Sequence, residues 1–381
     1  MALIAGVPKE SATGEKRVSI TPDAISKLKD FTVLIEHSAG EAANIPDSAY
    51  TEKGATIAPD SASLYSQADI IFKVQPPTPA EAGQLKEGST VISFLYPVAN
   101  LETVRKLVER KVTSFAMELI PRISRAQSMD ALSSQANVSG YKAVLIAADS
   151  LPKLFPMMMT AAGTISPARV FVLGAGVAGL QAIATARRLG AVVEAYDVRP
   201  IVKEQIMSLG AKFVEVAVEA KDAQTAGGYA KAQSDDFYKK QQELLADHAR
   251  MSDVIVTTAL VPGQKAPILV SEDAVKGMRA GSVIVDLAAE AGGNCALTDP
   301  GKTVVKYGVT IHGPFNVPST MAPQASQLYA RNITSFVSAI FKQGVISIDT
   351  KDDLIRGSLV INKGEVVHEA TKNALAKVGG A

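Results

Sequence analysis

The run Val170-Phe171-Val172-Leu173-Gly174-Ala175-Gly176-Val177-Ala178-Gly179-Leu180 limits what this chain can fold into more than any other stretch. A short apolar segment ends in a glycine cluster, and an Ala/Leu/Ile-rich pattern of helical period follows from Leu180 to Leu189. The glycines fit G-x-G-x-x-G. Gly174 allows a tight strand-to-helix turn, Gly176 lets backbone approach a diphosphate, and Gly179 lets the helix lie close on the strand. The helix start offers free N–H groups and partial positive charge to that diphosphate. A second strand, Ala191 to Tyr196, ends at Asp197, where an acidic side chain accepts hydrogen bonds from the adenosine ribose hydroxyls. Strand, glycines, helix, strand and acid in this order predict a dinucleotide site.

The remaining chain supplies more of the same alternation. Apolar strand-like runs at 2–7, 31–35, 69–74, 91–95 and 112–117 alternate with helical patterns at 21–30, 61–67 and 101–110. That order predicts a parallel sheet before the fingerprint is reached. A long helical pattern runs from about Met129 to Ala148, and Pro152, Pro156 and Pro167 end it before the fingerprint strand. Strands are expected at 213–216, 253–258, 282–286 and 303–311, and helices at 202–209 and 235–250. A helix at 326–341 and a hairpin turning at Asn362-Lys363-Gly364 would return to the first sheet. The expected fold is therefore α/β, with two Rossmann-like domains built on parallel sheets. Residues 1–135 and 319–381 form a discontinuous N-terminal domain, into which the dinucleotide-binding domain, 136–318, is inserted. A chain of 381 residues is too long for one ordinary core.

Composition removes several classes of partner. The formal net charge is +1, so there is no electrostatic case for nucleic acid or an anionic membrane. The longest uncharged run, Val170 to Ala186, is the fingerprint itself and too short to span a bilayer. No basic, apolar leader pattern opens the sequence. The single cysteine, Cys295, excludes an internal disulfide and is read as packed rather than reactive. His37, His248, His312 and His368 lie outside the motifs, and no Cys/His cluster suggests a metal. Met157-Met158-Met159 is read as core filling. Gly227-Gly228-Tyr229 sits in a long connection of little apolar periodicity and reads as a hinged lid.

The stretches RISRAQSMD, GAGVAGLQAIATA, TAGGYAK, TTALVPG and DLAAEAGGN resemble the NAD(H)-binding component of proton-translocating transhydrogenases. The resemblance spans nearly the whole chain. It implies a dimer that binds NAD(H) and exchanges a hydride with NADP(H) on a second component. A membrane-spanning proton-channel component would couple that transfer to proton movement. The chain would then be cytoplasmic, peripheral at the inner face of the membrane through its partner subunits. By position, Arg122, Gln127, Asp130 and Ser133 match residues around the nicotinamide, and Tyr229 matches a tyrosine of the mobile loop. Asp197 matches the ribose-binding acid, and Val177, Leu260 and Asn294 join the glycines in cofactor binding.

The residues themselves agree with these roles. Gln127, Asp130 and Ser133 recur every third position and would share one face of a helix. Arg122 would pair with Asp130 and hold it ionised. Hydride transfer between two nicotinamides needs no general acid or base, only close rings and excluded water. Alanine dehydrogenase resembles the same stretches, and Arg17 and Lys73 match the residues it uses toward the substrate carboxylate. Amine oxidation needs a proton acceptor, and Tyr96 stands where that family has a histidine. A non-catalytic NAD-sensing module is the remaining alternative.

Overall fold

The structure is a computed structural model and describes residues 2–216, 234–260, 264–342 and 344–379. The chain divides into two compact units, Met1–Gln135 with Ser319–Ala381, and Ala136–Pro318.

In the first unit, eight described strands form one sheet in the order Glu365–Val366, Leu359–Asn362, Thr113–Ala116, Thr90–Ser93, Ile70–Phe72, Leu3–Val7, Phe31–Glu36 and Thr56–Ala58. The six strands from the N-terminal segment run parallel. The C-terminal hairpin adds antiparallel to Thr113–Ala116. Its turn is tight because Lys363 and Gly364 both take positive φ, 48° and 84°. Successive strand residues face opposite sides of a sheet, which explains the two apolar layers. Ala5, Ile70, Phe72, Ile92 and Phe115 pack with Tyr329, Ile333 and Phe336 of the helix Ala322–Ile340. Ile71, Val91 and Ala116 pack on the other side with Leu64, Leu85, Val104 and Leu107. Each fully buried side chain of Val, Leu, Ile or Phe size contributes about 1.5–3 kcal/mol.

The second unit has a sheet in the order Lys212–Val214, Val192–Tyr196, Arg169–Leu173, Val254–Thr257, Val283–Asp286, Val309–His312 and Thr303–Lys306. All neighbours run parallel except the last pair. Arg169–Leu173 is flanked by the next strand in the chain on one side and by Val254–Thr257 on the other. The strand order reverses there, which is where open α/β sheets bind ligands, beyond the carboxyl ends of the strands.

Several expectations change, among them the helix expected over 21–30, which spans only Pro22–Ile25. The strand expected at 303–311 is two antiparallel strands, because Tyr307 and Gly308 take positive φ, 53° and 77°, and reverse the chain. The helix expected from Met129 begins at Ala131, after a 3-10 turn over Ser124–Met129. Met157-Met158-Met159 is not core. Met158–Thr160 pairs with Gly163–Ile165 in an isolated hairpin whose six residues are all exposed, and Met159 is 72% exposed.

Candidate functional site

Two of the three fingerprint glycines are required by the local backbone. Gly174 has φ +98°, and a Cβ there would lie 2.6 Å from Thr258 Oγ1. A Cβ on Gly179 would lie 1.8 Å from the Gly174 carbonyl oxygen, so only glycine lets the helix Val177–Arg188 start this close to the strand end. A Cβ on Gly176 would meet nothing within 4 Å, leaving open space in front of the turn. The helix that Val177 opens has no side-chain cap and no acidic residue in its first turn, so no side chain of its own covers its positive end. These features fit a diphosphate group.

Asp197 is buried and joined to the same turn. Its Oδ2 accepts from the Ala175 amide at 2.7 Å and from Arg199 NH2 at 2.7 Å. Its Oδ1 accepts from the Arg199 amide at 2.9 Å and from Arg199 Nε at 2.8 Å. The hydrogen-bonded carboxylate in turn holds the Arg199 pKa above its ordinary value.

Two residues not singled out from the sequence complete this end of the sheet. Thr258 Oγ1 donates to the Gly174 carbonyl at 3.0 Å. Asp286 is fully buried and accepts from Thr257 Oγ1 at 2.8 Å, Thr298 Oγ1 at 2.7 Å and the amides of Ala288, Asn294 and Cys295. It fixes the chain around Asn294. Asn294 is itself fully buried, and its side chain clamps Ala259 through both the amide and the carbonyl, at 3.0 and 2.9 Å. Asn294 therefore reaches the site through the loop it holds. Leu260, next along that loop, is exposed. A lone aspartate ending a strand resembles Asp197 in pattern, which is why Asp286 carried no separate signal.

The RISRAQSMD segment lies in the first unit and is pinned from below. Ala126 and Met129 are buried in the core. Asn332 Nδ2 donates to the Ser128 carbonyl at 2.9 Å, and Arg125 pairs with Asp352. Arg122 and Gln127 are exposed on this anchored turn. Asp130 stands at the head of the helix Ala131–Ser150. Its Oδ1 accepts from the Ser133 amide at 2.9 Å and its Oδ2 from the Ser133 hydroxyl at 2.6 Å. Asp130 and Ser133 thus form one unit. Gln127 belongs to the 3-10 turn, so the expected single helical face does not exist. Tyr229 and its glycines lie outside the described residues.

Arg17 and Lys73 are buried and already paired. Arg17 makes a two-point contact with Glu15, Nε to Oε1 at 2.8 Å and NH2 to Oε2 at 2.6 Å. Lys73 Nζ lies 3.2 Å from both Glu10 and Glu81. Cys295 is buried, and burial pushes its thiol pKa up. Among the described residues no His/Cys/Asp/Glu group is arranged to hold a metal, and no helix is long and apolar enough to cross a membrane.

Fold and site together define a dinucleotide-binding α/β protein with a second, discontinuous α/β unit. Residues 6–139 match the model of the alanine dehydrogenase/PNT N-terminal domain and residues 143–369 that of the C-terminal domain. The chain is similar to an NAD(P) transhydrogenase subunit alpha polypeptide of Rhodospirillum rubrum, 51% identical over 374 residues, covering 96% of this chain and 97% of that one. A solved transhydrogenase structure from Sinorhizobium meliloti is 44% identical with a TM-score of 0.86, over 96% of this chain and 100% of that chain. Alanine dehydrogenase 2 of Staphylococcus aureus is more distant, 30% identical over 339 residues, 86% of this chain and 84% of that one. The chain belongs to the alanine dehydrogenase/PNT family. Within it, the chain is an NAD(H)-binding NAD(P) transhydrogenase component.

Proposed function

We propose that this chain binds NAD(H) and exchanges a hydride directly with NADP(H) held on a partner component, with a membrane-spanning component coupling the transfer to proton translocation. The observation that carries this reading is the likeness to a transhydrogenase subunit through both units of the chain. When bound, NAD(H) supplies or accepts the hydride. The glycine turn, with Val177 at the helix start, holds the diphosphate, and Asp197 the adenosine ribose. Asn294 sets the loop that carries Leu260 toward the cofactor. Arg122, Gln127 and the Asp130–Ser133 unit orient the nicotinamide end, and Tyr229 closes over it. Their work is orientation and exclusion of water, since the transfer moves no proton.

A homodimer belongs to the same reading, and the exposed methionine hairpin supports it. Apolar side chains gathered on an exposed hairpin mark a contact surface. Met159→Glu is expected to shift the protein toward monomer in sedimentation velocity, with circular dichroism unchanged. An unaltered sedimentation coefficient removes the hairpin from the dimer contact. The chain would lie at the cytoplasmic face of the membrane through its partners.

Against alanine dehydrogenase stands Tyr96, exposed and at φ 43°, where that reading needs a proton acceptor. Mixed with an NADP(H)-binding partner component, the protein is expected to oxidise NADH with NADP⁺. Alone, it should not oxidise NADH with pyruvate and ammonia. Pyruvate-plus-ammonia turnover by the lone chain overturns the assignment.

A further inference from the structure

Asn332 interrupts an apolar row. On the helix Ala322–Ile340 it follows Ala325 by seven residues and Tyr329 by three, and it precedes Phe336 by four, so the four share one face. All four are buried, Asn332 to 4% exposure. Its Nδ2 donates to the Ser128 carbonyl at 2.9 Å, while its Oδ1 finds no donor among the described residues. A buried acceptor without a donor costs stability. The fold keeps this polar side chain at that cost, and the hydrogen bond it makes reaches the turn that carries Gln127. That turn, Ser124–Met129, is a 3-10 helix with three residues per turn. Ala126 and Met129 therefore lie on one side and enter the core, while Gln127 and Ser128 are exposed. Apolar burial holds the turn down but is not directional. The hydrogen bond from Asn332 is directional, and it fixes how the turn is rotated over its two buried anchors. The same helix also holds the start of the next element, since Gln135 Nε2 donates to the Ala325 carbonyl at 3.1 Å.

We infer that Asn332 is a positioning residue for hydride transfer: it sets the rotation of the Ser124–Met129 turn and, through it, the aim of Gln127. The inference rests on the reading that Gln127 orients the nicotinamide end. Asn332 is buried beneath the turn and acts through it rather than on the cofactor. Removing its side chain amide takes away a direction but leaves both apolar anchors in place. The loss should therefore appear in the placement of the reacting ring, where small errors are expensive, and not in folding. A leucine at 332 would continue the row of Ala325, Tyr329 and Phe336 and remove the acceptor that has no donor.

The test uses the whole chain with its NADP(H)-binding partner component. It measures single-turnover transfer from NADH to NADP⁺, NADH affinity by titration, and the urea midpoint. Asn332→Leu should slow transfer about tenfold while NADH affinity stays within about threefold of wild type. Its urea midpoint should be unchanged or higher, whereas loss of a purely structural residue would lower it. Asn332→Ala removes the same hydrogen bond without adding bulk and should slow transfer equally, which guards against a leucine variant that fails to fold. Added to Gln127→Ala, Asn332→Leu should slow transfer by less than about threefold further, because the two act through one contact. Transfer within about twofold of wild type in both Asn332 variants overturns the proposal. So does a loss of NADH affinity as large as the loss of transfer, or a further loss of about tenfold on top of Gln127→Ala. Gln127→Ala protein that transfers hydride as fast as wild type instead overturns the reading of Gln127 beneath it.

Discussion

Asp130→Asn should leave NADH binding within a few fold of wild type, yet cut hydride transfer to the partner-bound NADP⁺ by about 10²-fold, the size of effect that a small misplacement of a reacting ring produces. The substitution separates two roles of one carboxylate. As the head of the helix Ala131–Ser150, Asp130 accepts from the Ser133 amide, and asparagine caps a helix about as well as aspartate. Stability should therefore change by only about 0.5 kcal/mol or less. What asparagine cannot keep is the charge and the second acceptor, which takes the Ser133 hydroxyl at 2.6 Å. Ser133→Ala should give a smaller loss, since it frees that oxygen without removing the charge. Single-turnover transfer and equilibrium NADH titration, measured on the same samples, separate chemistry from binding. Undiminished transfer in Asp130→Asn removes this residue from the site.

Arg17→Met should destabilise the first unit by about 3–5 kcal/mol at pH 7, the cost of stranding one partner of a buried ion pair. Glu15 is buried, which pushes its pKa up, but the hydrogen bonds and charge of Arg17 outweigh burial and bring it down from 4.5 to about 2. A pKa depressed in the folded state contributes stability above the unfolded value and loses it as pH falls through the folded one. Glu15 thus contributes about 3 kcal/mol at neutral pH, lost between about pH 4.5 and 2. In Arg17→Met the sign reverses, because Glu15 loses its two-point partner and burial dominates. The gap between variant and wild type should narrow as pH falls from 7 toward 4. Gln75 also donates to Glu15, at 2.8 Å, and remains in both proteins. Glu10 and Lys73 titrate in the same cluster and are likewise common to both. Amide exchange in the buried strand Leu3–Val7 reports this unit separately from the other. Glu15→Leu together with Arg17→Met should recover most of the loss, since replacing both members of a buried pair is often neutral. A pH-independent gap would show that Glu15 is not the group left stranded.

The dinucleotide site is legible because its requirements are local. Gly174 and Gly179 are forced by backbone geometry, and with Gly176 and an acid at the next strand end they make a pattern of short spacing that the sequence shows directly. The parallel alternation is legible for the same reason, as short continuous apolar runs, buried on both faces, give way to helical patterns. What the sequence conceals depends on distant partners or on uncommon backbone. Tyr307 at positive φ splits an apparent strand, and tyrosine gives no warning of it. The three methionines have the composition of a core but sit on a hairpin that crosses to no larger sheet. The spacing of Gln127, Asp130 and Ser133 suggests a helix face, yet Asp130 ends the preceding turn as the cap for the next helix. Asp286 and the Glu15–Arg17 pair become visible only in the fold, which brings Thr298 to Asp286 and Gln135 to Arg17.

The interrupted first unit also sets an order of events during synthesis. Residues 136–318 hold every described strand of their own sheet, and that unit is complete before residue 319 is made. The other unit begins first but finishes last. Its edge at Thr113–Ala116 waits for Leu359–Asn362, and the face bearing Phe72, Ile92 and Phe115 waits for Tyr329, Ile333 and Phe336. At ribosomal rates of about 5–20 residues per second, that wait lasts several seconds beyond completion of the inserted unit. Through that interval an open strand edge and an uncovered apolar face emerge together from the ribosome, and that half-built sheet is the substrate a chaperone has to shield.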